Sequence, residues 1–251
     1  MSLLEVKNLN LWYREKQVLF DVSFEVKIGE ILCIVGESGS GKSSILFTIL
    51  RLLPPYARVS GSVKFLGREL LKLSEREMKS IRGKEVGMVF QEPSLYLDPL
   101  FTVGSQIEET YLSHFKAGRR EAYEACIKAM KKAGIPKPEE KYRMYPHQLS
   151  GGLKQRVCIA NAIVCEPKLV LADEPTTALD VSVQRRILAL FRNMKEEGKA
   201  VILITHDFGV VAEVGDRVIV LKDGKVVEEG DVFEIFDNPK HEYTKKLLSA
   251  I

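Results

Sequence analysis

The sequence predicts an α/β fold: a core built on a mainly parallel sheet, an antiparallel β subdomain at the N-terminal end, and a helical subdomain inserted in the middle. Three observations carry this. Four short apolar runs, Ile31–Val35, 86–90, 169–172 and Ala200–Thr205, have the unbroken character of strands buried on both faces. Amphipathic stretches of helical period lie between them. From 93 to 146 the strand signal vanishes, and small and apolar residues recur at helical spacing instead. The composition agrees: 251 residues, 45% hydrophobic, 37 Lys or Arg against 34 Asp or Glu, net charge +3. Such a chain can bury a sizeable core and is not disordered. Near-balanced charge argues against a dedicated nucleic-acid binder.

The elements follow in order. Residues 1–30 alternate apolar and polar positions (Leu4, Val6; Val22, Phe24, Val26) around a polar break at 14–17, which reads as an antiparallel strand pair. Ile31–Val35 is the first buried strand, bounded by Gly29 and Gly36, and a helix after Gly41 is expected to stop at Pro54-Pro55. A helix at 119–133 carries Ala122, Cys126, Ala129, Met130 and Ala133 on one stripe and closes at Gly134 and Pro136. Further helices are expected at 153–165 and 182–197, the latter with Val183, Ile187, Leu190, Phe191 and Met194 inward. One domain over 1–251 results, with a core and β subdomain over about 1–92 and 147–251 and a helical subdomain over about 93–146. No apolar run approaches the roughly 20 residues of a spanning helix. The N-terminal residues lack a signal-peptide pattern, so a cytoplasmic setting is expected. The four cysteines have no C-x-x-C spacing and are expected reduced and buried.

Function enters at the strand ends. Gly36-Glu37-Ser38-Gly39-Ser40-Gly41-Lys42-Ser43 fits G-x-x-x-x-G-K-S/T and sits between a buried strand and a helix. Glycines let the backbone N–H groups curl toward an anion, and the helix N-terminus adds its positive end. Lys42 suits the β/γ-phosphates and the Ser43 hydroxyl suits Mg²⁺. The 169–172 strand runs into Asp173-Glu174, read as a metal-holding carboxylate followed by a general base for hydrolysis, the two pointing to opposite sides of the strand. Gln91 and His206 end two further buried strands, where ligands of parallel sheets bind. Leu149-Ser150-Gly151-Gly152 opens a helix and forms a second anion site.

Together these residues resemble the nucleotide-binding subunits of ABC transporters, over essentially the whole chain. The resemblance implies that Tyr13 stacks on adenine and that Gly36 to Ser44, including Ser43 and Ser44, form the Walker A loop. It makes Gln91 the Q-loop, Ser150, Gly151 and Gly152 the signature, Asp173 and Glu174 the Walker B pair, Asp180 the D-loop and His206 the H-loop. ATP is the implied ligand, with Mg²⁺ on Ser43, Gln91 and Asp173, and Glu174, His206 and Gln91 are the implied catalytic set. The implied partners are a second such ATPase chain, identical or different, closing head to tail so that each Ser150 helix caps the γ-phosphate held by the other chain's Lys42, and integral membrane permease subunits. An extracytoplasmic solute-binding protein acts indirectly, no nucleic acid is involved, and the implied location is the cytoplasmic face of the cell membrane. The signature usually continues with Gln; Leu153 stands there, and no side-chain role is carried over to it.

Finer features resemble the oligopeptide/dipeptide/nickel importer branch. They are Phe90-Gln91-Glu92-Pro93, Leu97-Asp98-Pro99, the stretch Ala172-Asp173-Glu174-Pro175-Thr176-Thr177-Ala178-Leu179-Asp180, and the tail Asn238-Pro239-Lys240-His241-Glu242-Tyr243-Thr244-Lys245-Lys246-Leu247. The implied cargo is an oligopeptide or dipeptide, with nickel or another small solute as the alternative. A soluble ABC ATPase of DNA repair or translation is the rival class. A P-loop kinase or GTPase predicts neither Leu-Ser-Gly-Gly nor His206.

Overall fold

A computed structural model describes residues 2–177 and 179–249; Ala178 of the Asp173–Asp180 stretch lies outside them. The chain forms β1 (Ser2–Tyr13), β2 (Lys16–Lys27), β3 (Ile31–Val35), α1 (Lys42–Ile49), β4 (Ala57–Phe65), β5 (Arg68–Glu69) and α2 (Glu75–Ile81). Then come β6 (Val86–Val89), α3 (Pro93–Tyr96), α4 (Val103–His114), α5 (Arg119–Lys132), α6 (Pro138–Lys141), α7 (Gly151–Ile163), β7 (Leu169–Asp173) and α8 (Val181–Glu196). The last stretch holds β8 (Ala200–Thr205), α9 (Phe208–Val214), β9 (Arg217–Lys222), β10 (Lys225–Asp231), α10 (Val232–Asp237) and α11 (Glu242–Leu248). Two compact units result: one from the residues up to Met78 and from Met194 onward, the other from Lys79 to Asn193.

The first unit contains the expected antiparallel pair, β1 with β2, extended by β4 and β5 on the other side of β1. The alternation along β1 slips between Val6 and Leu9, and Asn8 absorbs the slip in a left-handed conformation at φ 50, so that Leu9 and Leu11 stay buried beside Leu4 and Val6. The unit's other strands run β10-β9-β3-β8, with β3 parallel to both β8 and β9 and only β10 antiparallel. Every residue of β3 and β8 is buried, as a strand covered on both faces requires.

Helix α1 ends at Ile49, short of the expected Pro54. Arg51 takes φ 51, its N–H donates to Thr48 O (3.0 Å) and the Leu52 N–H donates to Phe47 O (2.8 Å). That is a Schellman closure built on a non-glycine, which periodicity does not reveal. The Arg51 guanidinium bonds Leu73 O and so holds the strained residue in place.

In the second unit β6 and β7 pair in parallel, and α4, α5 and α7 pack on one another. Helix α5 closes where the sequence indicated: Gly134 at φ 70 donates to Lys131 O, and the Ile135 N–H to Met130 O, both at 3.0 Å. Gly104 lets α4 approach Tyr142, whose ring would lie 2.1 Å from any Cβ there. Helix α7 begins at Gly151 rather than near 153. Ser150 caps it, accepting the Leu153 N–H at 3.4 Å while its carbonyl takes the Lys154 N–H at 2.9 Å, so both glycines lie in the first turn. All four cysteines are buried thiols. Burial pushes Cys126 and Cys158 up to about 12 and Cys165 to about 11, which keeps them protonated and unreactive.

Candidate nucleotide site

The loop from Gly36 to Ser43 leaves β3 at φ 156 on Gly36, passes φ 80 at Gly39 and φ 102 at Gly41, and enters α1. A Cβ on Gly36 would meet Leu221 O at 2.2 Å, and one on Gly41 would meet Leu19 Cδ2 at 2.7 Å. The glycines are therefore fixed by neighbouring chain as much as by curvature. The Lys42 ammonium is buried and turned into the loop, donating to Gly36 O (2.7 Å) and Glu37 O (2.9 Å). Ser40 Oγ is buried in the same loop without a partner among the described residues. An enclosed cation and an orphaned hydroxyl inside a glycine cradle fit a phosphate chain. Beside Gly39 a cleft of about 550 Å³ is lined by Lys16, Val18, Lys222, Asp223, Lys225 and His241. Its cationic rim favours an anionic ligand.

Tyr13 ends β1 next to this loop, its hydroxyl 3.4 Å from Ser44 Oγ and its ring edge-on to Tyr56 at 6.4 Å. Ser38 and Glu37 lie exposed on the loop's outer turn. His206 is exposed just past β8, and the next residue, Asp207, caps α9 by accepting the Gly209 N–H at 2.7 Å.

In the second unit β7 delivers Asp173 buried at its last position. The strand-alternation argument for Glu174 does not hold: the strand ends at Asp173, and Glu174 takes φ 44. Its carboxylate is aimed by partners instead. Gln91 Nε2 lies 3.3 Å and Thr177 Oγ1 2.9 Å from Glu174 Oε2. Gln91 and Glu174 were both expected from sequence, and the structure brings them together; Thr177 was missed. Past Gln91, Tyr96 stacks on Phe90 at 3.8 Å, and burial plus the nearby Asp173 raise its phenol above the ordinary value. Ser150, Gly151 and Gly152 line a cleft with Asp180, Leu179 and Val183. Asp180 O accepts the N–H groups of Val183 and Gln184, both at 2.9 Å, and so starts α8.

The ABC transporter family model matches residues 19–177. The chain belongs to the ABC transporter family. It is 47% identical over 256 residues to the probable peptide ABC transporter ATP-binding protein y4tR of Sinorhizobium fredii, covering 99% of this chain and 76% of that one. It is 45% identical to the dipeptide transport ATP-binding protein DppD of Bacillus subtilis, with 100% and 77% covered. Among solved structures, the dimeric bacterial ABC transporter cassette MJ0796 matches with TM-score 0.82 and 33% identity over 91% of this chain and 98% of that one. CbiO1 of Clostridium perfringens matches with TM-score 0.82 and 30% identity, over 94% and 91%. As an ABC transporter ATP-binding chain it binds and hydrolyses ATP in the service of transport. Lys16 joins Lys222 and Lys225 at the cleft beside Gly39 only in the fold.

Proposed function

We propose that this chain powers an importer of oligopeptides or dipeptides, working on the cytoplasmic face of the cell membrane with a second ATPase chain and membrane permease subunits. The observation that carries the reading is similarity at 45–47% identity, over nearly the whole chain, to proteins named for peptide, oligopeptide and dipeptide transport. The tail from Asn238 to Leu247 and the stretch from Asp173 to Asp180 support the same branch.

In this reading the loop holds the triphosphate: Lys42 exchanges the Gly36 and Glu37 carbonyls for phosphate oxygens, and Gly39, Ser40 and Gly41 offer backbone and hydroxyl donors. Tyr13 stacks on the adenine. The Ser43 hydroxyl, the Asp173 carboxylate and the Gln91 carbonyl are hard oxygen donors suited to Mg²⁺, which neutralises developing charge on the phosphates when bound. Glu174 takes the proton of the attacking water at Oε1 or Oε2, and Gln91 and Thr177 fix the carboxylate that does so. His206 contacts the γ-phosphate. Ser150, Gly151, Gly152 and Asp180 serve the nucleotide of the second chain, so each site is completed by two chains. The segment 93–146 passes closure on to the permease.

Uptake of labelled di- and oligopeptides by cells carrying or lacking the gene tests the cargo. Loss of peptide uptake on deletion supports it; unchanged peptide uptake with lost nickel uptake overturns it.

A further inference from the structure

The Glu37 peptide is held from an unexpected direction. Tyr243, in the first turn of α11, is 6% exposed, and its hydroxyl accepts the Glu37 N–H at 3.0 Å. That N–H belongs to the same planar trans peptide as Gly36 O, which accepts the Lys42 ammonium at 2.7 Å. The two groups of a trans peptide point to opposite sides. One face of the 36–37 peptide therefore meets the lysine of the phosphate loop, and the other meets a tyrosine 206 residues away in sequence.

Tyr243 is itself braced. His241 Nδ1 accepts its N–H at 3.1 Å, and the Lys222 ammonium sits 5.0 Å from its ring centre. The segment leading into α11 is anchored on β10, where the Glu228 carboxylate accepts the N–H groups of Lys240 (2.7 Å) and His241 (3.0 Å). The contacts form a continuous path: Glu228, the 240–241 backbone, Tyr243, the 36–37 peptide, Lys42.

We propose that Tyr243 is a positioning residue of the phosphate loop, pinning the 36–37 peptide so that the loop keeps its phosphate-binding shape when Lys42 leaves the Gly36 carbonyl for a nucleotide. Without the pin, the peptide is free to rotate once its oxygen loses the ammonium, and the loop must be reordered at each binding event. The tail that distinguishes this branch thus becomes part of the nucleotide site without touching the nucleotide. The inference rests on the reading of residues 36–43 as that site.

Tyr243→Phe removes the hydroxyl and keeps the ring, its packing and the Lys222 contact. Loss of one hydrogen bond that acts on ground and transition states alike raises KM and spares kcat. The expected result is a rise of about five- to tenfold in the KM for ATP, and in the Kd of a fluorescent ATP analogue, with kcat within about twofold. The melting temperature without nucleotide should stay within about 2 °C. Glu228→Gln, which loosens the anchor, should raise KM in the same direction, and the double variant should do no worse than Tyr243→Phe alone. Lys42→Ala separates the two layers. If it abolishes binding while Tyr243→Phe leaves KM and Kd unchanged, the positioning role is overturned and the site stands. If Lys42→Ala binds like the unaltered chain, the site reading falls and the role of Tyr243 falls with it. A lowered melting temperature with unchanged KM would reduce Tyr243 to packing and overturn the proposal.

Discussion

On the proposed function Glu174 meets two demands at once, to be held in one orientation and to take a proton from water. The backbone answers the first by leaving the strand at φ 44, a conformation that costs a non-glycine residue about 1–3 kcal/mol. Gln91 and Thr177 then converge on its Oε2. Glu174→Gln keeps the shape and removes the proposed base. Phosphate release should fall by at least about 100-fold with nucleotide affinity within about threefold. A variant retaining full turnover would assign the base elsewhere. Gel filtration with ATP should show the same variant as a dimer, because closure no longer ends in hydrolysis.

Glu228 supplies a pH test at the same scale. Burial opposes its charge, but the Lys240 and His241 N–H groups and the nearby His241 outweigh that and hold the carboxyl below its ordinary value. A depressed folded value means the contribution is complete above the unfolded carboxylate value of about 4.3 and is lost as pH falls through the depressed one. Melting curves of the unaltered chain and Glu228→Gln should therefore differ most near neutral pH and converge as pH falls below the depressed value. A difference that persists undiminished at pH 3 would show that the carboxylate's charge is not what anchors the tail.

Close backbone approach decides what the strands and helices tolerate. Gly87 in β6 lies against α7, where a Cβ would sit 2.2 Å from Ala162 O, a backbone atom that cannot swing aside. Gly87→Ala should destabilise the fold by about 2–3 kcal/mol, read from denaturant midpoints with an unchanged slope. Asp207→Ala should cost only about 1 kcal/mol, since it removes the cap of α9 and leaves the helix packed through Phe208, Val210 and Val211.

The same distinction explains what the sequence revealed. The four buried strands were legible because burial on both faces leaves an unbroken apolar run, and α5 was legible to its end because Gly134 is the residue a Schellman closure favours. Closure of α1 on Arg51 uses no such residue. The β9–β10 hairpin carries its own sign in Asp223-Gly224, with φ 47 and 75 between alternating strands. Of the candidate site, the phosphate loop and Asp173-Glu174 were legible because their chemistry sits in contiguous residues. Tyr243 and Thr177 act through contacts that exist only once distant or turning chain is folded.

Among the described residues no helix is long and apolar enough to cross a membrane, yet the chain belongs to a transporter family. On that reading the pore is built by other chains, and the motor needs a face for them. The segment just past Gln91 supplies large apolar side chains with no cover: Leu95 is 74% exposed, Leu100 79% and Phe101 56%. On the proposed function, exposed apolar side chains at these positions are candidates for contact with permease subunits. Their place in the chain gives the face a use, because the loop that begins at the Glu174 partner runs directly into it. Leu100→Asp with Phe101→Asp should leave ATP hydrolysis by the isolated chain within about twofold, while recovery with permease subunits from membranes falls at least about tenfold. Unchanged recovery would move the docking face off this segment. Lost hydrolysis by the isolated chain would mean that the segment serves the site itself.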